Sequence, residues 1–412
     1  MRILTLSTVF PNLRQPAFGV FVAERMRRVA RHCDVSVVAP VPWFPGNGWI
    51  RPHWSGVPAT EGEEGFRVYH PRVLCVPRYA KWSDGALYAA SLLPFLARLR
   101  RRFPFDLIDA HFAYPDGLAA ALLGAVFRVP VVITLRGSIV RLRHYPLHRP
   151  QIRWALRRAA RVLAVSQSLK EVAAGLGVPA DHIRVIPNGV DADVFVPREP
   201  ADARRALGLP AGSTIVLSVG GLNEGKGHHR VVAQLPELAR RFPDLLYVIV
   251  GGERPGDSSR SLIESTAARL GVSNRVRLVG ERGHDEVATW LAAADLFCLA
   301  TRSEGWANVL LESLACGTPV VSTRVGGNAE IVSHEGLGIL VPPQDDRALA
   351  AAMREGLERR WDPQLLVNHA QAHSWDSAVR GVLDEFERVL GRRRAAGAPV
   401  SGLAEPGTGG PR

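Results

Sequence analysis

Short apolar runs alternate with helical stretches along nearly the whole chain, and this rhythm restricts the fold more than any single residue does. Ile3–Ser7, Val35–Ala39, Leu107–His111, Val131–Leu135, Arg161–Val165 and Ile183–Ile186 read as strands. Helical segments lie between them around Val20–Arg31, Ser83–Arg102, Gly117–Phe127, Arg149–Ala160 and Ser166–Gly175. A second series of strands follows at Thr214–Val219, Leu246–Val250, Val276–Val279, Asp295–Leu299, Pro319–Ser322 and Gly338–Val341. Apolar strands spaced by helix-length segments build parallel sheets from βαβ units. The economical reading of the fold class is α/β, with two Rossmann-like domains, each a doubly wound parallel sheet. Ligands are expected at the carboxyl ends of the strands.

Prolines and glycines break the rhythm near Pro187–Pro210, which places the first domain at 1–195 and the second at 196–372. Residues 373–394 hold a final helix, amphipathic over Asp376–Leu390 and free to pack back on the first domain. Residues 395–412, rich in Ala, Gly and Pro, read as a disordered tail. Residues 40–65 read as an irregular loop. No apolar run reaches the roughly 18–20 residues that cross a bilayer. The start, Met1 to Ser7, is too short in its apolar part for a secretory signal. Cys33, Cys75, Cys298 and Cys316 are scattered without a C-x-x-C. A cytoplasmic protein without structural zinc is expected.

The chemistry concentrates in Glu304-Gly305-Trp306-Ala307-Asn308-Val309-Leu310-Leu311-Glu312, two carboxylates with seven residues between them. An apolar strand precedes this stretch and a helix runs through its end. Glu304 thus falls in a strand-to-helix loop and Glu312 within the helix, while the amides at the helix start favour anions. Upstream, Val219-Gly220-Gly221-Leu222-Asn223-Glu224-Gly225-Lys226-Gly227 is a glycine-rich loop after a strand. Its glycines let backbone approach phosphates and Lys226 supplies a cation.

These segments, with Ile186-Pro187-Asn188-Gly189-Val190-Asp191, Val325-Gly326-Gly327-Asn328-Ala329-Glu330 and Gly338–Asp345, resemble glycosyltransferase family 4. Its members are retaining enzymes with an E-x7-E signature, and the resemblance implies the GT-B fold, two Rossmann-like doubly wound parallel-sheet domains facing across a cleft. The resemblance implies that Glu304 contacts hydroxyls of the transferred sugar and Glu312 the ribose. The donor site would comprise Gly220, Lys226, Gly305, Trp306, Ala307, Asn308, Val309 and Glu312. Trp306 reads as a packing wall, and Glu330 as a helix-start carboxylate before a ligand contact. The arginine common in the family after the strand-ending glycine is Gly221 here; Arg302 is a candidate to compensate. Pro187–Asp191 reads as a turn, and Asp191-Ala192-Asp193 as turn charges rather than a metal motif. No metal or other cofactor is implied, the nucleotide-sugar being the donor substrate.

The first half matches less tightly. Gly19 ends the loop after the first strand, either against donor and acceptor or as a plain helix start. His111 ends a strand and should point into the cleft, with catalytic contact and a structural role both open. Arg136 stands where the family commonly has a histidine. It cannot exchange protons near neutral pH, but it can stabilise a departing phosphate or an acceptor phosphate. Residues 1–195 hold 26 Lys+Arg against 13 Asp+Glu, so this half carries the whole basic excess of a chain whose net charge is +12. Peripheral contact with an anionic membrane or a phosphate-bearing acceptor, compositional preference for arginine, and nucleic acid are the readings, the last without a supporting motif. The resemblance implies a retaining hexosyltransferase acting on a glycan or lipid-linked acceptor in envelope or exported polysaccharide synthesis. It would work in the cytoplasm or at the inner face of the membrane. The rivals are a partner protein with a decayed donor site and a sugar-nucleotide epimerase of the same fold.

Overall fold

The computed structural model describes residues 1–50, 54, 56–76, 80–253 and 256–397. The first half contains β1 (Arg2–Leu6), β2 (Asp34–Val38), β3 (Val41–Trp43), β4 (Thr60–Glu63), β5 (Phe66–Tyr69), β6 (Arg72–Leu74), β7 (Leu107–His111), β8 (Val131–Leu135), β9 (Arg161–Ala164) and β10 (Ile183–Val185). Eight of them form one sheet in the order β10-β9-β8-β7-β1-β2-β5-β4, while β3 and β6 pair in a small ribbon. β7 and β8 are buried at every position, as expected of parallel strands covered on both faces.

The irregular loop expected over 40–65 is instead partly regular. It contains β3, a short helix Asn47–Ile50 and β4, which closes the sheet edge antiparallel to β5. The sheet is therefore mixed rather than wholly parallel. β4 reads Thr-Glu-Gly-Glu, a polar edge strand with no apolar alternation to announce it.

The second half forms a six-stranded parallel sheet from β11 (Thr214–Val219), β12 (Leu245–Val250), β13 (Val276–Gly280), β14 (Leu296–Leu299), β15 (Val320–Thr323) and β16 (Gly338–Val341), in the order β13-β12-β11-β14-β15-β16. The chain winds outward from β11 to β13, then restarts at β14 and winds the other way. In the first sheet the equivalent reversal lies between β1 and β7. Crevices open at such reversals, beyond the carboxyl ends of the strands, and the sequence motifs end these very strands.

Two crossings join the halves. Val190 donates from its backbone N to His373 O (2.9 Å), so the outgoing and returning segments run side by side. Gly189 is required there, because a Cβ would collide with the backbone of Ser374 and Trp375. The last helix, Trp375–Gly397, then lies on the first half. Its Val379, Val382, Phe386 and Val389 share a core with Ile3, Val22, Met26 and Leu107. The helix extends through residues 395–397 of the stretch expected to be a disordered tail; 398–412 lie outside the described residues.

Candidate active site

β14 runs into the loop 300–307, and the helix Asn308–Ala315 follows. Glu304 Oε1 accepts hydrogen bonds from Lys226 Nζ (2.6 Å) and Thr301 Oγ1 (3.0 Å). The glycine loop after β11 is fastened beside it, since Gly225 O accepts from Arg302 N (2.8 Å) and lies 3.1 Å from Thr301 Oγ1, whose one hydrogen is shared between Gly225 O and Glu304. Lys226 and Glu304 are thereby brought together from opposite sides of the β11/β14 reversal. Arg302 does not join them; its guanidinium pairs with Glu224 at 3.0 Å on the exposed surface.

Facing this loop is the end of β8. Arg136 is buried and lines a cavity of about 200 Å³ together with Phe21, Gly137, Asn188, Glu304 and Trp306. That is smaller than the roughly 300–1,000 Å³ usual for ligand pockets, because the two halves nearly touch. A Cβ on Gly305 would meet Gly137 N at 2.7 Å, and one on Gly137 would meet Gly305 N at 3.0 Å. The rims close only because both residues lack a side chain.

Arg136 Nη1 donates to Asn188 Oδ1 (2.7 Å), whose Nδ2 donates to Asn308 Oδ1 (3.0 Å). Arg136 Nη2 lies 3.1 Å from His111 Nδ1, and His111 Nε2 lies 3.1 Å from Asp109 Oδ2. A guanidinium only donates, so Nδ1 accepts and Nε2 carries the hydrogen shared with Asp109. Burial pushes the imidazole down to about 4, with Asp109 opposing and Arg136 and Arg25 reinforcing. Burial also works against ionising Asp109, but His111, Arg25 and Arg136 outweigh it and hold the carboxyl below its ordinary value. Arg25 is buried as well and donates to Thr134 Oγ1 (3.1 Å).

The expectation that His111 points into the cleft is corrected. The side chain is fully buried behind Arg136, against its guanidinium, and does not line this cavity. Of the two readings of Gly19, the plain helix start holds: it begins helix Val20–Ala30 with φ +79°, packed on Val9, and Phe21 of that helix lines the cavity.

Glu312 is the fifth residue of helix Asn308–Ala315, and its carboxyl is pushed up to about 8 by burial and then by the charge of Glu24 on the facing half. Ala307 is buried, Val309 half-buried, and Trp306 is packed within the core. Gly220 adopts φ +154° beside the aliphatic stem of Lys226. Glu330 does begin a helix (Asn328–Ile331), yet its carboxylate reaches across the cleft. It accepts from Gln167 N (2.8 Å) and Ser168 N (3.2 Å), at the start of helix Gln167–Ala174.

Sequence reasoning missed Asn188, which it read as turn. The buried Asp109 was missed too, although its two-residue spacing from His111 puts both side chains on one face of β7. Among the described residues no group of histidine, cysteine and carboxylate side chains is placed to hold a metal ion.

Comparison with known proteins follows the same division. Residues 22–194 match the family model Glycosyltransferase Family 4, and residues 201–373 match Glycosyl transferases group 1. TuaC of Bacillus subtilis (strain 168), assigned as a glycosyltransferase of teichuronic acid biosynthesis, is 31% identical over 384 residues, covering 89% of this chain and 92% of its own. Sucrose-phosphate synthase from Thermosynechococcus elongatus superposes with a TM-score of 0.76 at 22% identity, over 95% of this chain and 100% of the other. HepE of Anabaena in complex with UDP-glucose gives 0.70 at 21% identity, over 94% and 100%.

Proposed function

Since the chain belongs to glycosyltransferase family 4 and is a glycosyltransferase, we propose that it moves a sugar, with retention, from a nucleoside diphosphate donor to a glycan or lipid-linked acceptor. The observation that carries this reading is the Lys226–Glu304 pair at the strand reversal, opposite a buried Arg136. In it, Lys226 and the first amides of helix Asn308–Ala315 hold the diphosphate, Glu304 grips hydroxyls of the sugar, and Glu312 takes the ribose. Arg136, held by His111 and Asn188, faces charge that develops on the leaving phosphate. Two buried guanidiniums, Arg25 and Arg136, share one buried carboxylate, Asp109, and a neutral His111, so the site has an uncompensated positive charge suited to an anion. HepE, with UDP-glucose, supports a nucleotide-sugar as donor. TuaC, whose name ties it to teichuronic acid biosynthesis, supports a polysaccharide as the destination; in this reading the work is done at the inner face of a membrane. No metal enters this reading.

The test is a thermal-shift panel of UDP, GDP, ADP and their sugars on wild type and on Glu312→Ala. A ligand at a hundredfold excess over Kd stabilises by roughly 2.7 kcal/mol. A shift for one nucleotide, lost in Glu312→Ala, supports the donor site and names the base. No shift for any of them, with the protein folded, overturns it.

A further inference from the structure

The transferase site leaves one charged surface unused. From Ser138 to Ala160 the chain has six arginines (Arg141, Arg143, Arg149, Arg153, Arg157 and Arg158) and no carboxylate. Among the described residues none of the six forms an ion pair; Arg161, the next along, is the first to find one, Glu385 at 2.7 Å. Helix Arg149–Arg158 buries Ile152, Ala155 and Leu156 on one side and exposes Arg149, Arg153, Trp154, Arg157 and Arg158 on the other. Like charges crowded on one helix face destabilise it slightly, and among the described residues no carboxylate pairs with them.

Apolar side chains stand among these cations. Tyr145 is 46% exposed, Leu147 54%, Trp154 43% and Trp82 45%. They are not loosely hung. Gln151 Nε2 donates to Trp82 O (3.0 Å) and to Leu147 O (2.6 Å), tying two segments to the helix. The His148 ring lies 5.6 Å from Tyr145 and 4.8 Å from Tyr114. A fixed platform thus presents guanidiniums with Trp, Tyr and Leu between them. Phosphate head groups attract the first, and the interfacial layer of a bilayer accommodates the second.

We propose that this face docks on an anionic phospholipid surface, with the arginines on head-group phosphates and Trp82, Tyr145, Leu147 and Trp154 at the interface. The face adjoins the cleft. Gly137 lines the cavity, and only the short helix Ser138–Leu142, about 8 Å at 1.5 Å per residue, separates it from the platform. Docking there holds the cleft rim beside the head groups, where a lipid-linked acceptor presents its sugar. That last step rests on the acceptor reading above; the docking itself does not.

The experiment is co-sedimentation of the full chain with vesicles of phosphatidylcholine alone, and with vesicles of phosphatidylcholine and phosphatidylglycerol in equal parts. Binding to the mixed vesicles at low salt, weakening as salt rises, is the expected result. Arg149→Glu/Arg153→Glu/Arg157→Glu should lose at least about a hundredfold in partitioning, each cation near such a surface contributing roughly a factor of five. Leu147→Ser/Trp154→Ser keeps the charge and should lose about tenfold. Arg240→Glu/Arg347→Glu/Arg360→Glu makes the same charge change on exposed arginines of the second half and should bind as wild type. Equal loss in both triple variants means diffuse attraction and overturns the proposal. So does failure to pellet with the mixed vesicles, or single-stranded RNA binding that the first triple abolishes while vesicles are ignored. Because the readout is binding and not transfer, failure here leaves the donor-site reading standing.

Discussion

At the scale of single residues, the cleft is an exercise in charge held out of water. Arg136 is oriented by His111 on one side and Asn188 on the other, and His111 by Asp109. Removing the imidazole leaves a buried donor without its acceptor, which costs about 1–3 kcal/mol. His111→Ala should therefore lower stability by that amount in a urea titration and reduce kcat at least about tenfold. Nucleotide affinity, set in the other half, should stay nearly unchanged. A parallel loss of nucleotide affinity would show that His111 does not act through Arg136. Glu312 gives a prediction with a definite sign. Its native carboxyl titrates near 8, above the roughly 4.3 of an unfolded glutamate, so the folded state binds this proton more tightly. The contribution is complete below about pH 4 and is lost as the pH rises through 8, by no more than about 1.4 kcal/mol per pH unit. The melting temperature of Glu312→Gln should accordingly gain on wild type between pH 6 and 9. Parallel curves would refute the shift.

At the scale of elements, the loops after β8 and β14 approach so closely that only hydrogens fit between them. Gly305→Ala puts a methyl 2.7 Å from Gly137 N, and the closest atom is backbone, which cannot step aside. This substitution should lower stability by about 1–3 kcal/mol in a denaturant titration, the usual cost of overpacking. It should also cut transfer at least tenfold by holding the halves apart, and Gly137→Ala should do the same from the other side. Wild-type transfer by Gly305→Ala would mean that catalysis does not use this contact. Glu330 works the opposite way, drawing the halves together by satisfying two free amides at the start of helix Gln167–Ala174. Such elements are legible where an apolar run is bounded by turn residues: β7, β8, β11 and β16 agree with the sequence reading to the residue, β7 and β8 being buried at every position and β11 and β16 partly so. β4 and β5 are not legible in this way, since their pairing is set by a partner strand and a short turn. Likewise Glu304, Lys226 and Glu312 could be read from local motif chemistry. The roles of Asn188 and Glu330 depend on a partner more than a hundred residues away, and nothing in their own neighbourhoods signals it.

At the scale of the whole molecule, the chain leaves the first half once and comes back, and the return is structural. Helix Trp375–Gly397 supplies Val379, Val382, Phe386 and Val389 to the core beneath β1 and helix Val20–Ala30, and Glu385 pairs with Arg161 at the start of β9. Burying four such side chains contributes roughly 6–12 kcal/mol, as large as the entire stability of an ordinary domain, about 5–15 kcal/mol. The second sheet has its own core around Val232, Tyr247, Ile249 and Val321, to which this helix contributes nothing. Ending the chain after Ser374 should therefore unfold the first half and spare the second. Calorimetry should show the first half's transition gone while a smaller one persists, and that remaining transition should still rise when the nucleotide recognised by the full chain is added. Ending it after Gly397 should change neither. Were the shorter truncation to melt in one transition near the wild-type temperature, the returning helix would be packing without consequence. Were the second half to unfold with the first, the two sheets would form a single cooperative unit, and closure of the cleft could not be a motion of one half against the other.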